Sequence, residues 1–312
     1  MNKRTKTALS AVCVSALLAA NAPALAQENV AAEDVFGDRG YALAIDDRCN
    51  LFTDAERAAL EASYLQARGA LLRGHYAPAD LDAYRENLDR QADNEACDGS
   101  QANAVQLRVN LAFEGYQRLT DLNFPGTHFS WAARRPDPMQ TTEWLIEQET
   151  DLLRAGLVRY DDQQSFTIAL PNETLPAERQ FSQVILVLRD TTREPELYDP
   201  TVGGLFPGPE TAPWASWTPP DYARRFVWAA GRLNAEDLYT LTGQSDGIGY
   251  RFGDNAAREI ARRDPRETAR IDFLDRRGQP VMSRYFEIGD FGAALAFLRA
   301  APEPVSAEET GG

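Results

Sequence analysis

Lysine is nearly missing from this 312-residue chain, in which Lys3 and Lys6 are the only two. Beyond residue 6 no side-chain amine is available, which excludes Schiff-base chemistry, Ser–Lys acyl transfer and a phosphate-binding loop ending in Gly-Lys-Ser/Thr. The two histidines, His75 and His128, stand far apart in the sequence, so a zinc motif with paired histidines on one helix is excluded too. The sequence therefore predicts no cofactor, no metal site and no catalytic residue.

Positive charge is also scarce relative to negative charge. The chain has 32 basic and 47 acidic residues and a net charge of −15. Three of the basic residues and none of the acids lie in the first 26 positions, so 29 arginines and 47 acids remain beyond them, a net charge of −18. An acidic surface does not neutralise phosphates or anionic lipid headgroups. We therefore expect no nucleic-acid partner.

The N-terminus has the pattern of a secretory signal peptide. Three basic residues stand within its first six positions, followed by the apolar run "ALSAVCVSALLAA" and by small residues at Ala24 and Ala26. This predicts a signal peptide over residues 1–26 that is cleaved after Ala26. The apolar run is too short for a comfortable membrane span, although an uncleaved anchor is the alternative. We expect a periplasmic or secreted bacterial protein without stable membrane insertion.

Cysteine is limited to three residues, of which Cys13 lies in the predicted signal peptide. Cys49 precedes a helix start, a position that can activate a thiol, but it stands four residues ahead of the predicted cap. An exported protein meets an oxidising compartment, and Cys97 is the one other cysteine that remains. The sequence therefore predicts a Cys49–Cys97 disulfide rather than a reactive thiol.

Periodic apolar residues predict a helical subdomain over residues 46–123. Its first helix begins at Thr53, where Glu56 completes a capping box, and the spacing of apolar residues predicts two more helices, one from Pro78 and one after "CDGS". Short links between them favour antiparallel neighbours. The polar, alanine-rich residues 27–45 are expected to form a flexible lead-in.

The pattern over residues 124–301 predicts an α+β domain with a largely antiparallel sheet. It starts with a fourth helix, capped by Asp137 and ended by Gly156, and it closes with a C-terminal helix capped by Asp290. Between these two helices we expect a short helix in "NAAREIARR", and strands in "LVRYDDQQSFTIAL", "FSQVILVLR", "RRFVWAAGR", "ARIDFLD" and "PVMSRYFEI". Residues 302–312 are acidic and are expected to be a disordered tail.

A long segment without a clear element, residues 190–221, is rich in proline and aromatic residues. Such loops are often functional, and their aromatic side chains favour burial. One interpretation is a binding lid or platform for a sugar or peptide, and the other is a loop that packs over the sheet. The candidate ligand-binding residues are Phe206, Trp214, Trp217 and Tyr222.

Taken together, these patterns favour an exported protein without catalysis that binds an envelope protein, a peptide or a glycan. The alternative is a hydrolase of envelope polymers that uses a carboxylate pair, with His128 as a further candidate. Glu143 and Glu147, both within the expected fourth helix, illustrate the carboxylates available. A weaker third hypothesis is a scaffolding role for the helical subdomain.

Overall fold

The computed structural model describes residues 22–161, 163–172, 181–197 and 219–301. Seven α-helices and ten strands lie in this part of the chain. The helices are α1 (Ala22–Cys49), α2 (Asp54–Arg73), α3 (Pro78–Asp93), α4 (Ser100–Tyr116), α5 (Ala235–Thr242), α6 (Ala256–Ala261) and α7 (Phe291–Arg299). The strands are β1 (Asp121–Pro125), β2 (Ser130–Arg134), β3 (Thr142–Glu149), β4 (Arg154–Tyr160), β5 (Gln163–Leu170), β6 (Gln183–Arg189), β7 (Arg224–Arg232), β8 (Ile248–Phe252), β9 (Thr268–Leu274) and β10 (Pro280–Glu287).

All ten strands belong to one antiparallel sheet, in the order β1-β2-β3-β4-β5-β8-β7-β6-β9-β10. The two ends of this order meet in space. Gln148 at the end of β3 accepts the backbone N–H of Glu287 on β10 at 2.8 Å and donates to its carbonyl at 3.3 Å. The indole of Trp131 on β2 donates to the carbonyl of Ile288 at 2.7 Å. The sheet therefore curls until its two ends touch.

The C-terminal helix α7 lies at the centre of the molecule. Its residues Phe291 and Phe297 have no exposed surface. It packs against α2 on one side and against α6 and strands β1 to β3 on the other. Because α7 is apolar nearly all round, it is stable only as this buried helix between two layers. The predicted α+β fold, with N-terminal helices, an antiparallel sheet and a C-terminal helix, is confirmed.

The residues expected to form a flexible lead-in, 27–45, are instead part of α1. Phe36 and Ile45 are fully buried in this helix, which packs against α2 and α3. Gly37 and Gly40 allow this helix to pack closely, since a Cβ at Gly37 would lie 2.5 Å from the Tyr84 hydroxyl and one at Gly40 would lie 2.8 Å from Leu88 Cδ1. The helical part therefore has four helices rather than the three expected.

The predicted capping box, disulfide and further two helices of the helical part are confirmed. Thr53 and Glu56 form the reciprocal capping box of α2, and Gly74 lies at its C-terminal end. The Cys49–Cys97 disulfide is present, with 5.5 Å between the Cα atoms. It joins the last residue of α1 to the segment after α3.

None of the helices in the described part of the chain combines the length and apolar character needed to cross a membrane.

The helix expected from Asp137 to Gly156 is wrong, since these residues form β3, a turn and the start of β4. The segment "TTEW" favours a strand over a helix, and the apparent Asp-Pro cap is only a turn. Gly156 does not end a helix. It lies within β4, where a Cβ would stand 1.9 Å from the Ile146 carbonyl oxygen on the neighbouring strand.

The remaining predicted elements are confirmed as β4 to β7, β9, β10, α6 and α7. Asp290 stands at the cap position of α7, but its side chain makes no capping hydrogen bond. The segments "FSWAARR" and "FVWAAGR" are similar in sequence, and each coincides with a strand, β2 and β7. Trp131 in the first is fully buried, however, and Trp228 in the second is 55% exposed. The similarity therefore does not extend to the environment of the two tryptophans.

Candidate functional site

A groove with a volume of about 510 Å³ opens where the helices meet the β4–β5 hairpin. Residues of α2, α6 and α7 form its walls, and Leu157 and Phe166 from the hairpin lie at its base. Its lining residues are Leu65, Leu157, Gln164, Ser165, Phe166, Asp254, Ala257, Arg258, Ala261, Arg262, Gly292, Leu295, Leu298 and Arg299. A volume of this size is typical of sites for small molecules.

A glycine lets two of the helices that form the groove pack closely against each other. Gly292 faces α6 directly, and a Cβ there would lie 3.0 Å from the carbonyl oxygen of Ala261 and 3.7 Å from Leu65 Cδ1. Phe166 is held rigidly, since its ring contacts those of Phe286 and Phe291 with centroids 5.3 and 6.0 Å apart. The apolar base of the groove is therefore preformed by core packing.

Arginines surround the mouth of the groove. Arg258 and Arg262 stand one helical turn apart, and both side chains are exposed. In the described part of the chain, neither has a hydrogen-bond or ion-pair partner, whereas Arg299 at the end of α7 pairs with Glu61 at 2.6 Å. Asp254 is the one carboxylate among the lining residues. The groove therefore combines an apolar interior with a basic mouth on an acidic protein.

The first sequence candidate, His128, lies elsewhere, beside the end of β10. The carboxylate of Glu287 accepts the backbone N–H groups of His128 and Phe129 at 2.9 and 3.0 Å, and His128 Nε2 lies 4.0 Å from Glu287 Oε1. The Glu287 side chain is 5% exposed. A buried carboxylate that satisfies two backbone donors fixes the β1–β2 loop onto β10, so these contacts serve the closure of the sheet.

The carboxylates Glu143 and Glu147 lie on strand β3 rather than on a helix surface. Glu143 is buried and binds Arg159 Nη2 at 2.5 Å, which leaves it a structural role. Glu147 lines a second groove, of about 340 Å³, on the face of β1 to β3. Burial raises the pKa of Glu147, while hydrogen bonds from Thr120 and Arg134 lower the pKa of Asp121 in the same groove.

Of the aromatic candidates in the long loop, Phe206, Trp214 and Trp217 lie outside the described residues. Tyr222 is described and is 60% exposed, and its hydroxyl donates to Glu194 Oε2 at 2.8 Å. The backbone N–H of Asp190 donates to the Ala223 carbonyl at 2.8 Å. Tyr222 therefore helps to tie the two ends of the loop together.

Two features of the surface were not predicted from the sequence. The groove draws its lining from four parts of the chain, and the only signal for it was the pair of arginines four residues apart in "NAAREIARR". The second feature is the exposure of Phe226 and Trp228 on β7, each about half exposed. Because Phe226 and Trp228 are two residues apart on β7, the sequence predicts that they lie on the same face of the sheet. It does not show whether other parts of the protein pack on that face.

No group of three or more His, Cys, Asp or Glu side chains within the described ranges is arranged to hold a metal ion. Comparison of the chain with family models, with curated proteins and with solved structures found no match.

Proposed function

We propose that this protein is an exported binding protein without catalytic activity, and that its ligand site is the groove between α2, α6, α7 and the β4–β5 hairpin, which we name the α6–α7 groove. The observation that carries the proposal is a preformed groove of about 510 Å³ with an apolar base and a charged mouth. Sites with this combination bind ligands through their apolar body and orient them through a few polar groups.

The polar residues of the α6–α7 groove support binding rather than catalysis. Its one carboxylate, Asp254, has no second acid among the lining residues to form an acid–base pair. The hydroxyl of Ser165 lies 3.4 Å from that of Thr167, which is not a general base. Aliphatic walls also favour an apolar ligand over a glycan, which aromatic platforms bind better.

Export is part of the proposal, and the disulfide supports it because such bonds persist in oxidising compartments. The test is expression of the full chain in a bacterium with a periplasm, followed by fractionation and intact-mass measurement. We expect a periplasmic product that begins at Gln27 and carries no free thiol. A cytosolic product that retains residues 1–26 would refute this part of the proposal.

The binding function is tested with a neutral solvatochromic dye such as Nile red. Ala261→Leu narrows the groove, and Ala79→Leu on the exposed face of α3 is the matched control. We expect the dye to fluoresce with the wild type and with Ala79→Leu, and its affinity to fall several-fold with Ala261→Leu. Equal affinities for all three proteins, or no dye binding at all, would overturn the proposed site.

A second candidate function is hydrolysis of an envelope polymer in the groove on β1 to β3. It is favoured by the opposite pKa shifts of Glu147 and Asp121, because an acid and a base need such divided environments. It ranks second because each carboxylate already pairs with an arginine, Glu147 with Arg154 at 3.5 Å and Asp121 with Arg134 at 2.8 Å.

The hydrolase candidate is tested by the release of soluble fragments from purified cell-wall polymer. If it is correct, Glu147→Gln abolishes the release while Glu149→Gln, an exposed carboxylate on the same strand, preserves it. Absence of release by the wild type, or equal release by both variants, would eliminate this candidate.

A further inference from the structure

We infer that the α6–α7 groove takes a long-chain carboxylate, with the apolar chain along the groove and the carboxylate between Arg258 and Arg262. This inference rests on the proposed binding function and adds the chemical class of the ligand. Four leucines and Phe166 present hydrocarbon to the groove, from α2, from the hairpin and from α7. Binding of a flexible apolar chain to such a surface is favourable, because it removes apolar area from water.

The charges at the mouth select the sign of the ligand. Three lining residues are arginines and one is an aspartate, while the whole chain carries a net charge of −15. A concentration of positive charge beside an apolar groove, on a protein of opposite overall charge, is complementary to an anion. A neutral or cationic ligand would have no negative charge to pair with these guanidinium groups.

Arg258 on α6 and Arg262, directly after the end of this helix, suit a carboxylate in particular. Arg258 and Arg262 are four residues apart, so their side chains project from the same face of the chain at this end of the groove. Guanidinium groups bind carboxylates through two parallel hydrogen bonds, which fix the head group as well as attract it. Arg299 is already paired with Glu61, so Arg258 and Arg262 are the arginines available to the ligand.

The size of the groove favours a small amphiphile over a protein segment. Its volume of about 510 Å³ lies within the usual range for small-molecule sites. At Gly292 the helices α6 and α7 are in direct contact, since a Cβ there would lie 3.0 Å from the Ala261 carbonyl oxygen, so the groove is closed on this side. The remaining volume suits a small amphiphile, whereas a helix with its side chains is about 10 Å across.

The test is a fluorescence titration of the full chain with a polyene fatty acid and with its methyl ester, which has the same chain but no charge. We expect the wild type to bind the acid roughly tenfold more tightly than the ester, as one charge-assisted hydrogen bond predicts. The double variant Arg258→Gln/Arg262→Gln is expected to lose this preference and to keep its affinity for the ester. Arg276→Gln/Arg277→Gln, in the exposed β9–β10 turn, is the control that keeps both affinities.

The outcomes separate the ligand class from the function. Equal affinities of the wild type for acid and ester, or full acid affinity in the Arg258→Gln/Arg262→Gln variant, would overturn the carboxylate inference while binding of the neutral dye upholds the groove as a site. If neither acid, ester nor Nile red binds, the proposed function falls, and this inference falls with it.

Discussion

Arg73 on α2 and Asp290 at the start of α7 form a bidentate ion pair, with Nη1–Oδ1 and Nη2–Oδ2 distances of 2.8 and 2.9 Å. The Asp290 side chain is 1% exposed and that of Arg73 is 16% exposed. Gly69 makes this approach feasible, because a Cβ there would lie 1.9 Å from Asp290 Oδ1. The pair therefore fixes the N-terminal helices to the central helix of the fold.

Replacement of Arg73 by methionine should destabilise the protein strongly. The change leaves the Asp290 carboxylate buried without its partner, which costs about 3–5 kcal/mol. Urea unfolding followed by circular dichroism measures the loss. Arg68→Met on the same helix is the control, because its partner Asp82 is 65% exposed and such a pair contributes at most about 1 kcal/mol. Equal losses in the two variants would contradict this account.

The same variant should show a characteristic pH dependence. Burial raises the pKa of Asp290, and the hydrogen bonds and charge of Arg73 act to lower it. In Arg73→Met the folded-state pKa should rise further above the unfolded value, so the folded state binds the proton more tightly than the unfolded state. The stability that this group contributes is then full below the unfolded pKa and is lost as pH rises through the folded pKa.

The expected result is a deficit, relative to the wild type, that is smaller at acidic than at neutral pH. Urea titrations of both proteins across that range measure it. A deficit that stays constant with pH would mean that Asp290 does not titrate in the variant, and it would refute the electrostatic explanation while leaving the ion pair's geometry intact.

Loss of the Cys49–Cys97 disulfide should also lower stability. The bond spans 48 residues, and closing a loop of that length stabilises by about 4 kcal/mol in the chain-entropy model. The double variant Cys49→Ser/Cys97→Ser should therefore unfold at lower urea concentration than the oxidised wild type. Reductant should destabilise the wild type and leave the double variant unchanged. A wild type that is equally stable with and without reductant would contradict this prediction.

The sequence predicts best where the physical cause is local. Thr53 and Glu56 lie within one turn, so the capping box of α2 could be predicted from four residues. The run from Val184 to Leu188 is continuously apolar and rich in β-branched residues, and it forms the buried centre of strand β6. These elements need no knowledge of distant partners.

The failures come from contacts between distant residues. Residues 27–45 look like a polar lead-in until α2 and α3 are placed against their helix, and Gly156 looks like a helix end until Ile146 of the neighbouring strand β3 is seen beside it. The α6–α7 groove depends on Leu65, Phe166 and Leu295 meeting in space. No local pattern encodes such a meeting, which is why the candidate site could not be predicted.

Substitution of Glu287 by glutamine should loosen the closure of the sheet. The carboxylate accepts two backbone N–H groups from the β1–β2 loop, and an amide that keeps its oxygen at the Oε2 position puts a donor at the Oε1 position, where it faces the N–H of His128. A buried donor left unsatisfied costs about 1–3 kcal/mol. Thermal or urea unfolding measures the change, with Glu149→Gln as the control, since that side chain is 65% exposed. If Glu287→Gln lowers the free energy of unfolding no more than the control does, the contacts of Glu287 with the β1–β2 loop contribute nothing to stability.

The end of α7 offers a test with two adjacent arginines. The Arg135 guanidinium lies 4.8 Å from the Phe297 ring centroid and donates to the Ala300 carbonyl at 3.1 Å, and burial lowers its pKa. Lysine cannot stack its head group on a ring in this way while reaching the same carbonyl, so Arg135→Lys should cost roughly 1–2 kcal/mol. Amide hydrogen exchange should accelerate in the last turn of α7.

Arg134→Lys is the control for this exchange experiment, because Arg134 is 68% exposed and pairs with the exposed Asp121. It should change stability by less than about 0.5 kcal/mol and leave exchange in α7 unaltered. If both variants show the same stability and the same exchange in α7, the contacts of Arg135 with the Phe297 ring and the Ala300 carbonyl do not hold the end of this helix. If Arg135→Lys alone speeds exchange there, Arg135, directly after β2, positions the C-terminal turn of α7, which carries Leu298 and Arg299 of the groove.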